Sequence, residues 1–185
     1  MKNQLLFFSA FIKNQKEIGS ILPSSSFLVN KMLEGIDFKN FKFFAEYGPG
    51  TGCVTNEILK RCNKNAKILC FEKNKILCDN LRKNIKDKRL ILINDSASKV
   101  REYMKQYNTP YLDCVISSLP FYSLGKRVKE SIMKSTREVL RDNGNFVFYM
   151  YPPHFERDFK KYFQTNGLKL VLLNIPPAIV YSCVK

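Results

Sequence analysis

Long apolar runs, histidine and paired cysteines are all scarce in this 185-residue sequence. The apolar run near the N-terminus, residues 5–12, is far shorter than the roughly 20 residues of a membrane-spanning helix. No cleavage site of small residues follows it. His154 is the single histidine, placed after two prolines as in a loop, and the six cysteines include no C-x-x-C pair. We therefore expect no transmembrane helix, signal peptide or metal site, and a cytoplasmic protein with mostly buried, reduced cysteines.

Acidic residues are also few relative to basic ones. Sixteen Asp and Glu stand against 31 Lys and Arg, which gives a net charge of +15. Such an excess attracts an anionic partner, either nucleic acid or an acidic membrane surface. The basic residues are concentrated over residues 60–89, where eleven Lys and Arg accompany three acids. A biased codon supply or a solvated charged face would give the same composition, so charge alone does not identify the partner.

The order of apolar and polar stretches indicates an α/β fold. Hydrophobic residues make up 45% of the chain, and no repeat or linker divides it. Strand-like and helix-like stretches alternate, which predicts a Rossmann-like sandwich with a seven-stranded, mostly parallel sheet and helices on both faces. The predicted strands are residues 42–47, 67–72, 90–94, 112–117, 145–151, 168–173 and 179–184. The predicted helices are residues 24–34, 54–62, 75–85, 97–106, 126–140 and 155–165.

A glycine-rich turn follows the first predicted strand. The strand ends in Glu46, and Gly48, Gly50 and Gly52 come directly after it. Glycine accepts positive φ and lets the backbone approach a ligand closely, so we expect this strand-to-helix turn to cradle a ligand. A dinucleotide-binding fingerprint would have its third glycine at position 53, which is Cys53. The G-x-G-x-G spacing instead resembles motif I of the class I S-adenosylmethionine (SAM) methyltransferases.

The next two predicted strands also end in acidic residues. Glu72 ends the second strand, twenty positions after Gly52, where a carboxylate can accept hydrogen bonds from both ribose hydroxyls. Asp95 follows the third strand and can accept from an adenine amino group, cap the next helix, or do both. The carboxyl ends of parallel strands open into one crevice, so these acids are expected to meet the glycine turn there.

The resemblance to SAM methyltransferases implies SAM as the cofactor, S-adenosylhomocysteine (SAH) as its product, and a set of cofactor contacts. We predict that the cofactor is bound by Ser24, Ser25, Glu46, Tyr47, Gly48, Gly50, Thr51, Gly52, Glu72, Lys73, Asp95, Ser96, Ala97 and Ser117.

The fourth predicted strand ends in Ser117-Ser118-Leu119-Pro120-Phe121-Tyr122. This segment resembles motif IV of enzymes that methylate amino nitrogens, which commonly reads [N/D/S]-x-P-[Y/F]. The resemblance implies that Ser118 and nearby carbonyl groups hold the acceptor amine, while Phe121 and Tyr122 cover its cationic centre. The predicted catalytic residues are therefore Ser118, Pro120, Phe121 and Tyr122. No residue is predicted as a general base.

Two further segments narrow the resemblance. Residues 19–25 read G-S-I-L-P-S-S, similar to the G-x-x-x-P-S-S segment of the bacterial phospholipid N-methyltransferases. Residues 174–180 read N-I-P-P-A-I-V, similar to their N-x-P-P-A-x-V pattern. In the related rRNA adenine dimethyltransferases, Asn usually stands at the place of Ser118, and a helical RNA-binding domain follows, which this sequence does not show.

The resemblance therefore implies methylation of the amino headgroup of phosphatidylethanolamine or its methylated derivatives. RNA adenine N6-methylation is the alternative. A SAM-fold protein that only binds is a third possibility, which the intact strand ends disfavour.

The N-terminal residues allow two interpretations. On a helical period, Leu5, Phe8 and Ile12 share one stripe flanked by lysines. Such a helix can lie in a membrane interface or pack against its own domain. We expect residues 1–35 to form an N-terminal helical segment, with roles as interface helix and lid, and residues 36–185 to form the SAM-binding domain. The expected partners are an anionic membrane surface and a phospholipid substrate, and nucleic acid is the alternative partner. With a lipid substrate, we expect the protein to associate peripherally with the membrane.

Overall fold

The computed structural model describes residues 25–151 and 157–185, without the side chains of residues 157 and 158. The predicted N-terminal stripe, Ser24, most of the 19–25 segment and His154 lie outside the described residues. Within them, no helix is long and apolar enough to cross a membrane.

The strands of the described chain form one seven-stranded sheet in the order β3-β2-β1-β4-β5-β7-β6. Neighbouring strands from β3 to β5 are parallel, and β7 runs antiparallel to both β5 and β6. The predicted seven-stranded, mostly parallel Rossmann-like sheet is confirmed. The strands are β1 Phe43–Tyr47, β2 Lys67–Phe71, β3 Leu90–Ile93, β4 Leu112–Ser117, β5 Leu140–Met150, β6 Gln164–Val171 and β7 Ala178–Val184.

Helices cover both faces of the sheet. On one face, Phe44 of β1 packs with Leu28 of α1 and Ile58 of α2. On the other, Tyr47 of β1 packs with Val100 of α4 and Ile132 of α5. The described helices are α1 Ser26–Leu33, α2 Cys53–Arg61, α3 Lys75–Asn84, α4 Val100–Gln106 and α5 Lys126–Val139, with 3₁₀ turns at Ala97–Lys99, Phe121–Ser123 and Arg157–Lys161.

Two predicted elements near the C-terminal part of the sheet are wrong. The helix predicted at residues 155–165 is a 3₁₀ turn over Arg157–Lys161, and β6 begins at Gln164, four residues before the predicted start. The strand begins early because residues 164–167 pair with the end of β7, and this pairing compensates for their weak apolar pattern. The strand predicted at residues 145–151 begins earlier, at Leu140, because residues 142–144 form a bulge inside the strand, with Asn143 at φ +58°.

Candidate cofactor and acceptor sites

The glycine turn has the backbone conformation that its sequence predicts. Gly48, Gly50 and Gly52 have φ values of +70°, +56° and +90°. A Cβ atom on Gly48 would lie 2.9 Å from Leu119 Cδ2, and one on Gly52 would lie 2.7 Å from Leu81 Cδ2. A side chain at either position would be strained by the positive φ and would require the neighbouring leucine side chain to move. Thr51 lies exposed on the turn, with its hydroxyl 3.5 Å from the Cys53 thiol.

Glu72 connects the end of β2 to this turn. Its Oε2 accepts from the Gly50 N–H at 3.3 Å, and its Oε1 accepts from the Asn74 N–H at 2.8 Å. Burial raises the pKa of this carboxyl, while the backbone donors oppose that change. The neighbouring Lys73 is exposed, and its carbonyl accepts from Asn94 at 3.1 Å. The fold therefore brings two of the predicted cofactor contacts, Gly50 and Glu72, into direct contact.

Asp95 at the end of β3 is held by three donors. It accepts from the Ser96 N–H at 2.7 Å, from the Tyr103 hydroxyl at 2.9 Å and from Lys99 at 3.0 Å. These donors, the Ser96 N–H first, lower the pKa of Asp95, so the carboxylate is charged at neutral pH. The capping alternative for Asp95 is wrong in detail, because the N-cap of the following 3₁₀ turn is Ser96. Ala97 is buried beneath this turn, and the predicted adenine contact of Asp95 stays a prediction.

Glu46 lies buried between β1, β2 and α2. Its Oε2 accepts from the Cys70 thiol at 3.5 Å, whereas Oε1 has no hydrogen-bond partner in the structure. The nearby Thr55 hydroxyl lowers the pKa of Glu46, although the geometry between the two groups is not that of a hydrogen bond. Burial is the larger effect and raises the pKa of Glu46 to about 7, to which the charge of Glu72 adds. A buried carboxyl group with one unpaired oxygen atom thus lies at the end of β1, two residues before the first glycine of the turn.

Two aromatic residues that were predicted to touch ligands are core residues. The Tyr47 side chain is buried on the α5 face, with its hydroxyl 3.2 Å from Thr136 Oγ1. Phe121 is 1% exposed, and its ring packs edge-on against Phe148 and Phe159 at centroid distances of 5.6 and 5.2 Å. A cation–π contact needs an accessible ring face, so the role predicted for Phe121 does not fit this structure.

The motif IV segment packs directly on the glycine turn. The Ser118 N–H donates to the Tyr47 carbonyl at 2.9 Å, and the side chain of Leu119 lies over Gly48. Ser117 Oγ accepts from the Leu119 N–H at 3.3 Å. The Ser118 hydroxyl is buried without a hydrogen-bond partner, as expected of a group that serves a ligand.

Pro120 is exposed at the start of the 3₁₀ turn that leads to Tyr122. Tyr122 is half-buried, and burial raises its pKa, with a further contribution from Tyr149. The rings of Tyr149 and Tyr151, at the end of β5, lie 5.4 Å apart between centroids. Sequence analysis missed both of these tyrosines, because alternate residues of a buried strand carry no signal of which end faces a ligand.

Ser25 and Asn174 join the two segments that carry the phospholipid-methyltransferase resemblance. Ser25 caps α1 by accepting from the Leu28 N–H at 3.2 Å, and its hydroxyl donates to Asn174 Oδ1 at 2.8 Å. Asn174 is 4% exposed and also donates to the Pro176 carbonyl at 2.7 Å. The Tyr151 side chain lies near the same Asn174 side chain, which opposes the rise that burial causes in the pKa of Tyr151. The start of α1, the end of β5 and the β6–β7 turn thus meet at one point.

No protein-family model matches the chain. An ornithine lipid N-methyltransferase of Singulisphaera acidiphila is 25% identical over 99% of this chain and 96% of its own length. Ribosomal RNA small subunit methyltransferase A of Mesomycoplasma hyopneumoniae is 31% identical, over 60% of this chain and 40% of its own length. The chain therefore spans less than half of that rRNA enzyme, whereas it matches the lipid enzyme almost from end to end.

Solved structures share the fold. A putative rRNA methylase from Clostridium thermocellum has a TM-score of 0.64 at 16% identity, covering 90% of this chain and 99% of its own. A putative methyltransferase from Streptococcus mutans was solved in complex with SAH. Its TM-score is 0.54 at 16% identity, and the match covers 85% of this chain and 95% of the other. The chain therefore has the fold of the class I SAM-dependent methyltransferases, and the sequence relatives named above are methyltransferases that act on a lipid and on ribosomal RNA.

Proposed function

We propose that this enzyme methylates the amino headgroup of a membrane lipid, with phosphatidylethanolamine or its methylated derivatives as the expected acceptors. The observation that carries the proposal is the Ser25–Asn174 hydrogen bond of 2.8 Å. It joins Ser25, the last residue of the 19–25 segment, to Asn174, the first residue of the 174–180 segment, and the Asn174 side chain also lies near Tyr151. The end-to-end match to an ornithine lipid N-methyltransferase supports the same acceptor class, an amine on a lipid.

The chemistry requires alignment more than activation. SAM supplies a methyl group on a cationic sulfur, which is already a strong electrophile. The protein therefore has to hold an amine lone pair in line with that methyl group. The buried Ser118 hydroxyl can accept from or donate to the amine, since it has no hydrogen-bond partner in the structure. Tyr122 offers a half-buried ring to the cationic nitrogen and to a product that gains methyl groups.

The residues at the carboxyl ends of β1 to β3, which we call the cofactor half of the site, have separate tasks in this proposal. Glu72 lies at the glycine turn, where its carboxylate is placed to accept from the ribose hydroxyls. Asp95, charged at neutral pH, is placed one strand further along for the adenine amino group. Neither residue takes part in the methyl transfer itself, so substitution of either should change the affinity for SAM.

RNA adenine N6-methylation is the second candidate. The matches to ribosomal RNA small subunit methyltransferase A and the net charge of +15 favour it. Against it, those matches cover about 40% of the rRNA enzymes.

A direct assay separates the two candidates. The purified protein receives methyl-labelled SAM together with vesicles of phosphatidylethanolamine and phosphatidylglycerol, or with total RNA, and Gly50→Val serves as the inactive control. We expect label in the lipid extract and none in RNA. Label in RNA alone would overturn the lipid assignment. Label in a soluble amine alone would place the acceptor outside both classes.

A further inference from the structure

Exposed apolar side chains are concentrated along one edge of the sheet. Nine large apolar side chains are exposed in the described chain, and five of them fall within eight consecutive residues. We name these five the β6 ridge. Its members are Leu168 (61% exposed), Leu170 (56%), Leu172 (68%), Leu173 (67%) and Ile175 (94%). The register with β7 places Leu168 beside Tyr181 and Leu170 beside Ile179, on the face of the sheet away from α1. Leu172, Leu173 and Ile175 follow in the β6–β7 turn. A cluster of exposed apolar side chains of this kind marks an interaction site.

The ridge lies on the free edge of the sheet. β6 is the last strand in the sheet order and pairs only with β7, so its outer edge faces away from the rest of the sheet. Between this edge and α1 is a cleft of about 490 Å³, lined by Phe27, Asn30, Lys31, Glu34, Arg61 and residues 170–173. Phe27 is itself 54% exposed and extends the apolar surface across the cleft.

Cationic side chains border the apolar surface. Lys31 and Arg61 line the cleft, and Lys169 of β6 lies beside them. Glu34 pairs with Lys31 at 2.9 Å and with Lys169 at 3.3 Å, and Arg61 pairs with Glu57 at 3.5 Å, so three cations meet two acids beside the cleft. An apolar ridge edged with positive charge fits a lipid surface that carries anionic headgroups, where each nearby cation contributes about 1 kcal/mol.

The ridge is continuous with the residues at the carboxyl ends of β4 and β5, which we call the acceptor half of the site. Asn174 lies between Leu173 and Ile175 in the β6–β7 turn, where it accepts a hydrogen bond from Ser25 and lies near Tyr151. A lipid that enters beside the turn would therefore reach the crevice without leaving the bilayer surface.

The basic stretch of residues 60–89 offers a weaker alternative surface. Several of its cations are paired with acids, as those beside the cleft are: Lys75 and Arg82 pair with Asp79, and Arg89 pairs with Asp87. The two surfaces differ in their exposed apolar side chains. Ile76, on α3 at the opposite side of the sheet, is 73% exposed but stands without a comparable apolar cluster.

We propose that the β6 ridge docks the enzyme on an anionic lipid surface, with the leucines of the β6–β7 turn inserted among the headgroups. The inference rests on the proposed lipid acceptor, since it names the surface that brings the acceptor half to the membrane.

The sequence has no tryptophan, which makes a single introduced one a clean reporter. Leu173→Trp probes the ridge, and Ile76→Trp probes an equally exposed site on the alternative surface. Both proteins are mixed with vesicles of phosphatidylethanolamine and brominated phosphatidylglycerol. We expect a blue shift and quenching for Leu173→Trp and neither for Ile76→Trp. A shift confined to Ile76→Trp, or no shift in either protein, would overturn the proposal. So would a shift of Leu173→Trp that follows protein concentration without vesicles, because a second copy would then cover the ridge.

Charge substitutions test whether the ridge serves the reaction. The double variant Leu172→Asp/Leu173→Asp should lose at least about tenfold in vesicle binding, with the matched Ile76→Asp close to wild type. SAM affinity and turnover of a soluble short-chain aminophospholipid should stay unchanged in both, which also verifies folding. Equal vesicle binding by the double variant and the wild type would overturn the proposal. If the wild type binds vesicles through the ridge but methylates no lipid, the docking surface stands and the proposed function fails.

Discussion

The carboxyl ends of β1 to β3 and those of β4 and β5 form two halves of one crevice, and the two halves are assembled in different ways. In the cofactor half, Gly50 and Glu72 are 22 positions apart and meet through adjacent parallel strands. In the acceptor half, Ser25 and Asn174 are 149 positions apart and meet only because α1 begins where the β6–β7 turn ends. Local turns therefore define the first half, whereas the whole fold is needed for the second.

The difference extends to chemistry. Carboxylates with perturbed pKa values, Glu46, Glu72 and Asp95, belong to the cofactor half. Tyr122 and Tyr151 belong to the acceptor half, as does an unpartnered serine hydroxyl. Charged groups suit the ribose and adenine of a cofactor, and aromatic groups suit a cationic nitrogen. Substitutions in one half should therefore leave the other half's property intact.

The largest effect is expected at the glycine turn. Gly50→Val puts a β-branched side chain at φ +56° in the cofactor cradle and should abolish SAM binding in calorimetry. Gly35→Val is the matched control: Gly35 has φ +87°, but a Cβ there meets no atom within 4 Å. It should be strained yet bind SAM normally. Binding by Gly50→Val would remove the turn from the cofactor site.

Phe121→Ala tests the reassignment of this ring to the core. Removal of a fully buried aromatic side chain should lower the free energy of unfolding by roughly 3–5 kcal/mol, measured by urea denaturation. Tyr122→Ala, one residue on and half-buried, should cost clearly less. If Phe121→Ala keeps its stability and loses turnover instead, the ring contacts the acceptor after all.

Glu46→Gln should change how stability depends on pH. Burial raises the pKa of Glu46 to about 7 in the folded state, above the usual 4.5 of a glutamate. The folded state then binds more protons than the unfolded state between these values, so wild-type stability should fall as pH rises through this range. The loss should total on the order of 3 kcal/mol and level off above pH 7. Glu46→Gln should lack this component, with Glu72 present in both proteins. If stability depended on pH in the same way in the variant and the wild type, the raised pKa of Glu46 would be contradicted.

The smallest effect is expected at the acceptor ring. Tyr122→Ala should lower turnover roughly 2- to 30-fold, the range of a cation–π contact, while Tyr122→Phe keeps the ring and most of the activity. SAM affinity should not change in either variant. Equal losses in Ala and Phe would assign the role to the hydroxyl group and not to the ring.

The conformation of the glycine turn and its contact with Glu72 could be predicted from the sequence because their signals are local. The glycine spacing predicted a turn with positive φ, and the position of Glu72 predicted its approach to that turn. The motif IV pattern placed the segment correctly but could not tell which of Phe121 and Tyr122 faces inward, since that depends on Phe146, Phe148 and Phe159 packing around one ring. The β6 ridge was not foreseen, because exposure along an edge strand is set by sheet order.

Calorimetric titration of Glu72→Ala and Tyr122→Ala with SAM, side by side with the wild type, tests the division into two halves most directly. Glu72→Ala loses charge-assisted hydrogen bonds and should bind SAM more weakly by roughly 1.5–3 kcal/mol. Tyr122→Ala should bind with the wild-type affinity. Equal weakening in both variants would contradict the division, and a wild type that binds no SAM would contradict the account as a whole.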